Sequence, residues 1–141
     1  MKYFSTRNKN LNCSFKEVFL RGLAPDGGLF IPQNLKKYND SELKELSKLK
    51  YTDLATEIIS NFCFSDLEKS KLKTLVEKAY EGFETKEVVT IKKIGNLNLL
   101  ELYHGPTLAF KDIAMQVIGN IYQEFNSTDN KVINIIVATS G

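Results

Sequence analysis

After Gly82 the apolar residues of this chain change their spacing, and that change limits what it can build. Before it lie stripes at helical intervals. Beyond it come "VVTIKKI" (88–94) and "LNLLELY" (97–103), two strand-like runs on either side of Gly95-Asn96, a hairpin signal. From Asp112 to about Phe125 the spacing is helical again, with Ile113, Val117, Ile118 and Ile121 in phase. "VINIIVA" (132–138) is then almost unbroken in β-branched residues, as expected of a strand buried on both faces of a parallel sheet. Strand, helix and buried strand over 97–138 predict a βαβ unit.

The preceding segment reads as a smaller layer. "KYFST" (2–6) predicts a short strand. "SFKEVFLRG" predicts a helix with Ser14 and Glu17 as a capping box and Gly22 at its end. "APDGGLFIP" predicts a turn feeding a short strand that Pro32 closes. Three further helices follow. One carries the stripe Leu43, Leu46 and Leu49. The next is capped by Thr52 and buries Leu54, Ile58, Ile59 and Phe62. The third opens on a box of Ser65 with Glu68 and buries Leu72, Leu75, Val76 and Ala79. The expected class is α/β: a helix-rich region over 1–85 with short strands, leading into the start of a parallel-sheet domain over 86–141.

Composition narrows the function. A net charge of +2, with lysines interspersed among acids, gives no footprint for nucleic acid. Cys13 and Cys63 belong to no cysteine–histidine ligand pattern, so no metal site is expected. No run reaches membrane-spanning length and the N-terminus has no apolar leader, so the expectation is a cytoplasmic protein without membrane contact.

The segment "ELYHGPTLAFKDIA" (101–114) concentrates the reactive side chains. Gly105 and Pro106 make a turn, Thr107 can cap or donate, and Lys111 follows Ala109 and Phe110 at a loop-to-helix junction. A lysine held among apolar neighbours loses hydration of its charged form and deprotonates more readily. A neutral amine attacks an aldehyde. Asp112 could oppose this by favouring the ammonium, although the helix dipole alone explains an acid there. Singly, each residue is most simply structural. A lone lysine is usually a solvated charge, and a lone histidine usually a hydrogen-bonded loop residue.

Together they are more specific. "HGPTLAFKD" after a strand, then a helix and a run ending in "ATSG", resembles the threonine synthases, pyridoxal-phosphate enzymes of the tryptophan-synthase β-like (fold type II) group. "KYFSTR" and "GLAPDGGLFIP" resemble that family's N-terminal region, although Asn8 follows "STR" where the family has glycine. The resemblance implies that Lys111 carries pyridoxal 5'-phosphate covalently and serves as the base for the substrate's α-proton. It implies O-phosphohomoserine as substrate, with L-threonine and phosphate as products. Thr139, Ser140 and Gly141 would begin a loop touching substrate and cofactor, beyond the carboxyl end of a strand where open sheets bind ligands. His104 and Thr107 would line the pocket. The family's enzymes are longer, so the chain is expected to be an N-terminal fragment, inactive alone and a poor binder of the cofactor. Two alternatives stand beside this. One is another fold-type-II enzyme, such as a serine/threonine dehydratase or a cysteine synthase. The other is a non-catalytic threonine-synthase-like interaction module.

Overall fold

The computed structural model describes residues 1–129, 132 and 134–138. It contains five helices and four short strands among them. Strand β1 (Tyr3–Ser5) pairs antiparallel with β2 (Phe30–Pro32), Tyr3 facing Pro32 and Ser5 facing Phe30. Between them lies helix α1 (Phe15–Arg21). The Ser14 hydroxyl accepts from the Glu17 N–H, and the Glu17 carboxylate accepts from the Ser14 N–H. Gly22 closes the helix at φ 74°.

The two N-terminal motifs interlock. The Ser5 side chain is fully buried and donates to Asp26 Oδ1 at 2.7 Å, while the Gly28 N–H donates to the same oxygen at 2.9 Å. A Cβ on Gly28 would lie 2.2 Å from the Ser5 hydroxyl, so the turn can close over β1 only with glycine there. The Gly28 N–H, then the Ser5 hydroxyl, hold the Asp26 carboxyl below its ordinary range.

Helices α2 (Asp40–Leu46), α3 (Tyr51–Cys63) and α4 (Lys69–Tyr80) form the helical layer. Three expectations are corrected here. Thr52 does not cap α3: the N-cap is Lys50, with no side-chain bond, and Thr52 lies inside the helix. Ser65 and Glu68 form no capping box. Glu68 itself is the N-cap of α4, and the Ser65 hydroxyl is tied to Asp66 and the N-terminal amine. The Leu43, Leu46 and Leu49 stripe is not core: Leu43 is exposed on α2, and Leu49 is exposed beyond the end of the helix. A seven-residue helix, boxed by Asn39 and Glu42, reaches too little of the layer to bury its leucines.

The core forms where α4 meets the long helix α5 (Asp112–Asp129). Leu72, Val76 and Cys63 are fully buried beside Val117, Ile121 and Phe125. Each such aliphatic side chain contributes about 1.5–3 kcal/mol by leaving water. α1 docks on the same helix through aromatic contacts, Phe19 against Tyr122 at 4.6 Å and Phe15 against Phe125 at 6.1 Å between ring centres. Three long-range hydrogen bonds fix α5 further. Tyr80 Oη donates to the Ile113 carbonyl, Asn120 Nδ2 to the Leu75 carbonyl and Tyr122 Oη to the Phe19 carbonyl.

β3 (Thr90–Ile94) and β4 (Leu97–Glu101) form the expected hairpin, with Gly95 at φ 59° in its turn. Ile91, Leu97, Leu99 and Leu100 are exposed on it. The mixed α/β class, with a helix-rich N-terminal layer and short strands, is the observed one. Its parallel element is not formed among the described residues. Residues 132 and 134–138 carry no strand, and Ile136 is 96% exposed. A strand buried on both faces needs hydrogen-bonded neighbours and covering layers. The strands described here are already paired in two antiparallel ribbons.

Candidate functional site at the start of helix α5

The loop from His104 to Lys111 connects β4 to α5, and a buried carboxylate at the helix start organises it. Asp112 is the first residue of α5 and only 4% exposed. Its Oδ2 accepts from the Thr107 N–H at 2.8 Å and from the Thr107 hydroxyl at 2.9 Å. Burial pushes this carboxyl up. The two Thr107 bonds, with help from Gln116, outweigh it and hold the carboxyl below its ordinary value. The negative charge also complements the positive end of α5.

Gly105 lets the loop pass over this carboxylate. A Cβ there would lie 2.4 Å from the Asp112 Cβ and 2.6 Å from its Oδ2. The Leu108 N–H donates to the Gly105 carbonyl at 3.0 Å and closes a turn. In that turn Leu108 adopts φ 58°, a left-handed conformation that costs a non-glycine residue about 1–2 kcal/mol. The Thr107–Asp112 bonds hold it there.

Lys111 sits within this clamp. Its carbonyl accepts from the N–H groups of Ala114 and Met115, which ties its backbone to the first turn of α5. Its side chain is exposed, and so are Leu108 and Phe110 at 70% and 63%. The desolvated lysine expected from the sequence is therefore absent among the described residues. The apolar neighbours point outward as well, because the loop turns its polar Thr107–Asp112 pair inward. Among the described residues no carboxylate forms an ion pair with Lys111; its neighbour Asp112 is engaged by Thr107 instead.

His104 is buried at the base of the hairpin. Its Nε2 lies 2.9 Å from the Thr90 hydroxyl, which donates its one proton to Glu101 Oε2 at 2.7 Å. Thr90 must then accept from the Nε2–H. Bonds from Thr90 and then Tyr103 hold the Glu101 carboxyl below its ordinary range. The His104 carbonyl accepts from the Glu84 N–H at 2.9 Å, and Glu84 Oε2 lies 3.5 Å from Nδ1. This histidine fastens the hairpin to the segment after α4, so its side chain is committed to β3 and β4. Thr107 is committed to Asp112. Thr139, Ser140 and Gly141 lie outside the described residues.

From the sequence Asp112 is either a pull on the Lys111 ammonium or a partner of the helix dipole; its bonds to Thr107 are the role that reading lacks. Its readable signal is the combination of a donor five residues upstream and a glycine two residues before that donor. An acid serving only the dipole needs neither.

A model of the family "Threonine synthase N terminus" matches residues 2–80. Threonine synthase from Methylobacillus glycogenes is 38% identical over all of this chain, which covers 32% of that protein. Threonine synthase-like 2 from Xenopus laevis is also 38% identical over the whole chain, covering 30% of that protein. Among solved structures, PLP-bound threonine synthase from Brucella melitensis superposes with a TM-score of 0.87 at 32% identity. That match covers 93% of this chain and 28% of the other. Threonine synthase from yeast gives 0.86 at 36% identity, over 94% and 28%. The chain thus spans about a third or less of the relatives it matches.

Proposed function

We propose, for a chain that belongs to the threonine synthase N-terminus family, that it forms the N-terminal part of an enzyme releasing phosphate from O-phosphohomoserine to make L-threonine. Residues 86–141 would begin the cofactor-binding part, and the reading places the enzyme in the cytoplasm. Two buried, unbridged thiols, Cys13 and Cys63, suit a reducing compartment. Among the described residues no helix is long and apolar enough to cross a membrane.

One observation carries the reading. The lysine of "HGPTLAFKD" presents an amine that pairs with no carboxylate among the described residues, from a backbone fixed at both sides. That donor set fits pyridoxal phosphate, whose aldehyde needs an accessible amine on a defined backbone. The solved Brucella relative is described as PLP-bound. When bound, the cofactor supplies an electron sink for carbanion chemistry at the substrate. Lys111 would hold the cofactor through its amine. With substrate bound, Lys111 would remove the proton from the substrate α-carbon and return protons as the phosphate leaves and water adds at the β-carbon. Thr107 and Asp112 keep the lysine's backbone from drifting during those transfers, where small displacements cost rate. Thr139, Ser140 and Gly141 would supply part of the wall that binds substrate and cofactor.

The relatives named above are threonine synthases and a threonine synthase-like protein, which favours this reading over a dehydratase or cysteine synthase. The test is phosphate release by the complete polypeptide that carries this chain. Release from O-phosphohomoserine, abolished by Lys111→Ala, is expected. Consumption of only an unphosphorylated amino acid overturns the reading.

A further inference from the structure

We propose that Asp112 is a positioning residue for the Lys111 amine, acting through Thr107: by taking both Thr107 donors it keeps its own charge off the neighbouring lysine. This rests on Lys111 being the reactive amine of the proposed function.

The geometry makes the arrangement specific. Asp112 directly follows Lys111, so a carboxylate turned to solvent there would put a negative charge one residue from the exposed amine. Here the carboxylate is buried and Oδ2 takes the Thr107 N–H and hydroxyl together. A Cβ on Gly105 would lie 2.6 Å from the same oxygen, so the loop has no room for a methyl group there. The loop is therefore drawn down onto the carboxylate, while the lysine side chain stays on the exposed side. An amine that must attack an aldehyde gains from having no fixed counterion, because pairing stabilises the ammonium form. A helix-start acid that served only the dipole would need neither the Thr107 bonds nor the Gly105 approach.

The test reads Lys111 itself and needs no cofactor. The complete polypeptide is treated with limiting acetic anhydride at one mildly alkaline pH, and labelling at each lysine is read by peptide mass spectrometry. Thr107→Val removes the hydroxyl donor and leaves only the Thr107 N–H on that oxygen, which loosens the carboxylate on the side toward Lys111. Labelling of Lys111 should slow about threefold, the scale of one exposed ion pair. Thr107→Ser keeps the donor and should label like the parent. Adding Asp112→Asn to Thr107→Val removes the charge and should restore the parent rate. Lys44 and Lys48, on and just beyond α2, should be unchanged throughout and report any loss of fold. Where Thr107→Val unfolds the protein, Thr107→Ala repeats the test with a smaller change.

Lys111 labelling that is unmoved by Thr107→Val, or that stays slow in the double variant, overturns the proposal. Failure of the parent reading looks different. It would appear as absence of pyridoxal phosphate on Lys111, with the labelling pattern intact.

Discussion

Replacing Gly105 with alanine should dismantle the loop that carries Lys111, and the cost can be worked from the contacts. The added methyl would lie 2.4 Å from the Asp112 Cβ, 2.8 Å from its Cγ and 2.6 Å from Oδ2. Rotation of the aspartate cannot relieve the first of these, because Cβ is fixed to the α5 backbone. The loop must lift by about an ångström to reach ordinary contact distance. Lifting stretches the Thr107 bonds at 2.8 and 2.9 Å. Hydrogen bonds to a charged group contribute about 1.5–3 kcal/mol each, and overpacking alone costs about 1–3 kcal/mol. If the loop relaxes enough to keep one of the two bonds, the net loss is about 2.5–6 kcal/mol.

Glycine-to-alanine changes at tolerant positions do the opposite, and Gly119 supplies the control. It lies inside α5 with nothing within 4 Å of a built Cβ. Gly119→Ala should stabilise the helix by about 0.5–1 kcal/mol. Amide exchange of a peptide spanning 103–112 reads the first effect, and thermal unfolding reads the second. Gly105→Ala should remove protection of the Thr107 amide, while Gly119→Ala raises the melting temperature. A Gly105→Ala protein that keeps parental protection at Thr107 refutes the clamp geometry.

Three other outcomes follow from the same contacts. Leu72→Ala, in a fully buried position, should cost about 2–5 kcal/mol in urea unfolding, with α4 and α5 losing protection together. Ser14→Ala should cost about 1 kcal/mol by breaking a real capping box, whereas Thr52→Ala should remove no cap because Thr52 caps nothing. Asp26 and Asp112 both have carboxyl groups held below the ordinary 3.8 in the fold. A depressed carboxyl contributes stability that is present above its unfolded value and lost as pH falls through the folded one. Stability should therefore drop from about pH 4 downward, and Asp26→Asn with Asp112→Asn should flatten that acid limb in a pH series of unfolding curves.

Much of the fold was legible because local chemistry decides it. Ser14 with Glu17, the Pro-Asp-Gly-Gly turn and the Gly95-Asn96 hairpin each specify their backbone within four residues. The stripe of Leu72, Leu75, Val76 and Ala79 was legible because helical periodicity records which side faces a partner. The stripe of Leu43, Leu46 and Leu49 is also helically spaced, yet Leu43 is half exposed: periodicity shows an apolar side without showing what covers it. Thr52 and Ser65 failed as caps because several residue types can precede a helix, and tertiary contacts choose the starting point. The strand expected at 132–138 is not formed among the described residues, because a strand buried on both faces depends on neighbours that its own residues do not encode. The site was legible as a motif and not as a mechanism. Lys111 stands out from its company, but its exposure is seen only in the fold, and the turn of Asp112 toward Thr107 is a local contact whose signal is spread over Gly105, Thr107 and Asp112.

The most direct measurement uses the complete polypeptide incubated with pyridoxal phosphate, reduced with borohydride, digested and mapped by mass spectrometry. The account predicts a pyridoxyl group on Lys111 of the "FKD" segment, in about one copy per chain. A pyridoxyl group on a different lysine, with Lys111 unmodified, would contradict it.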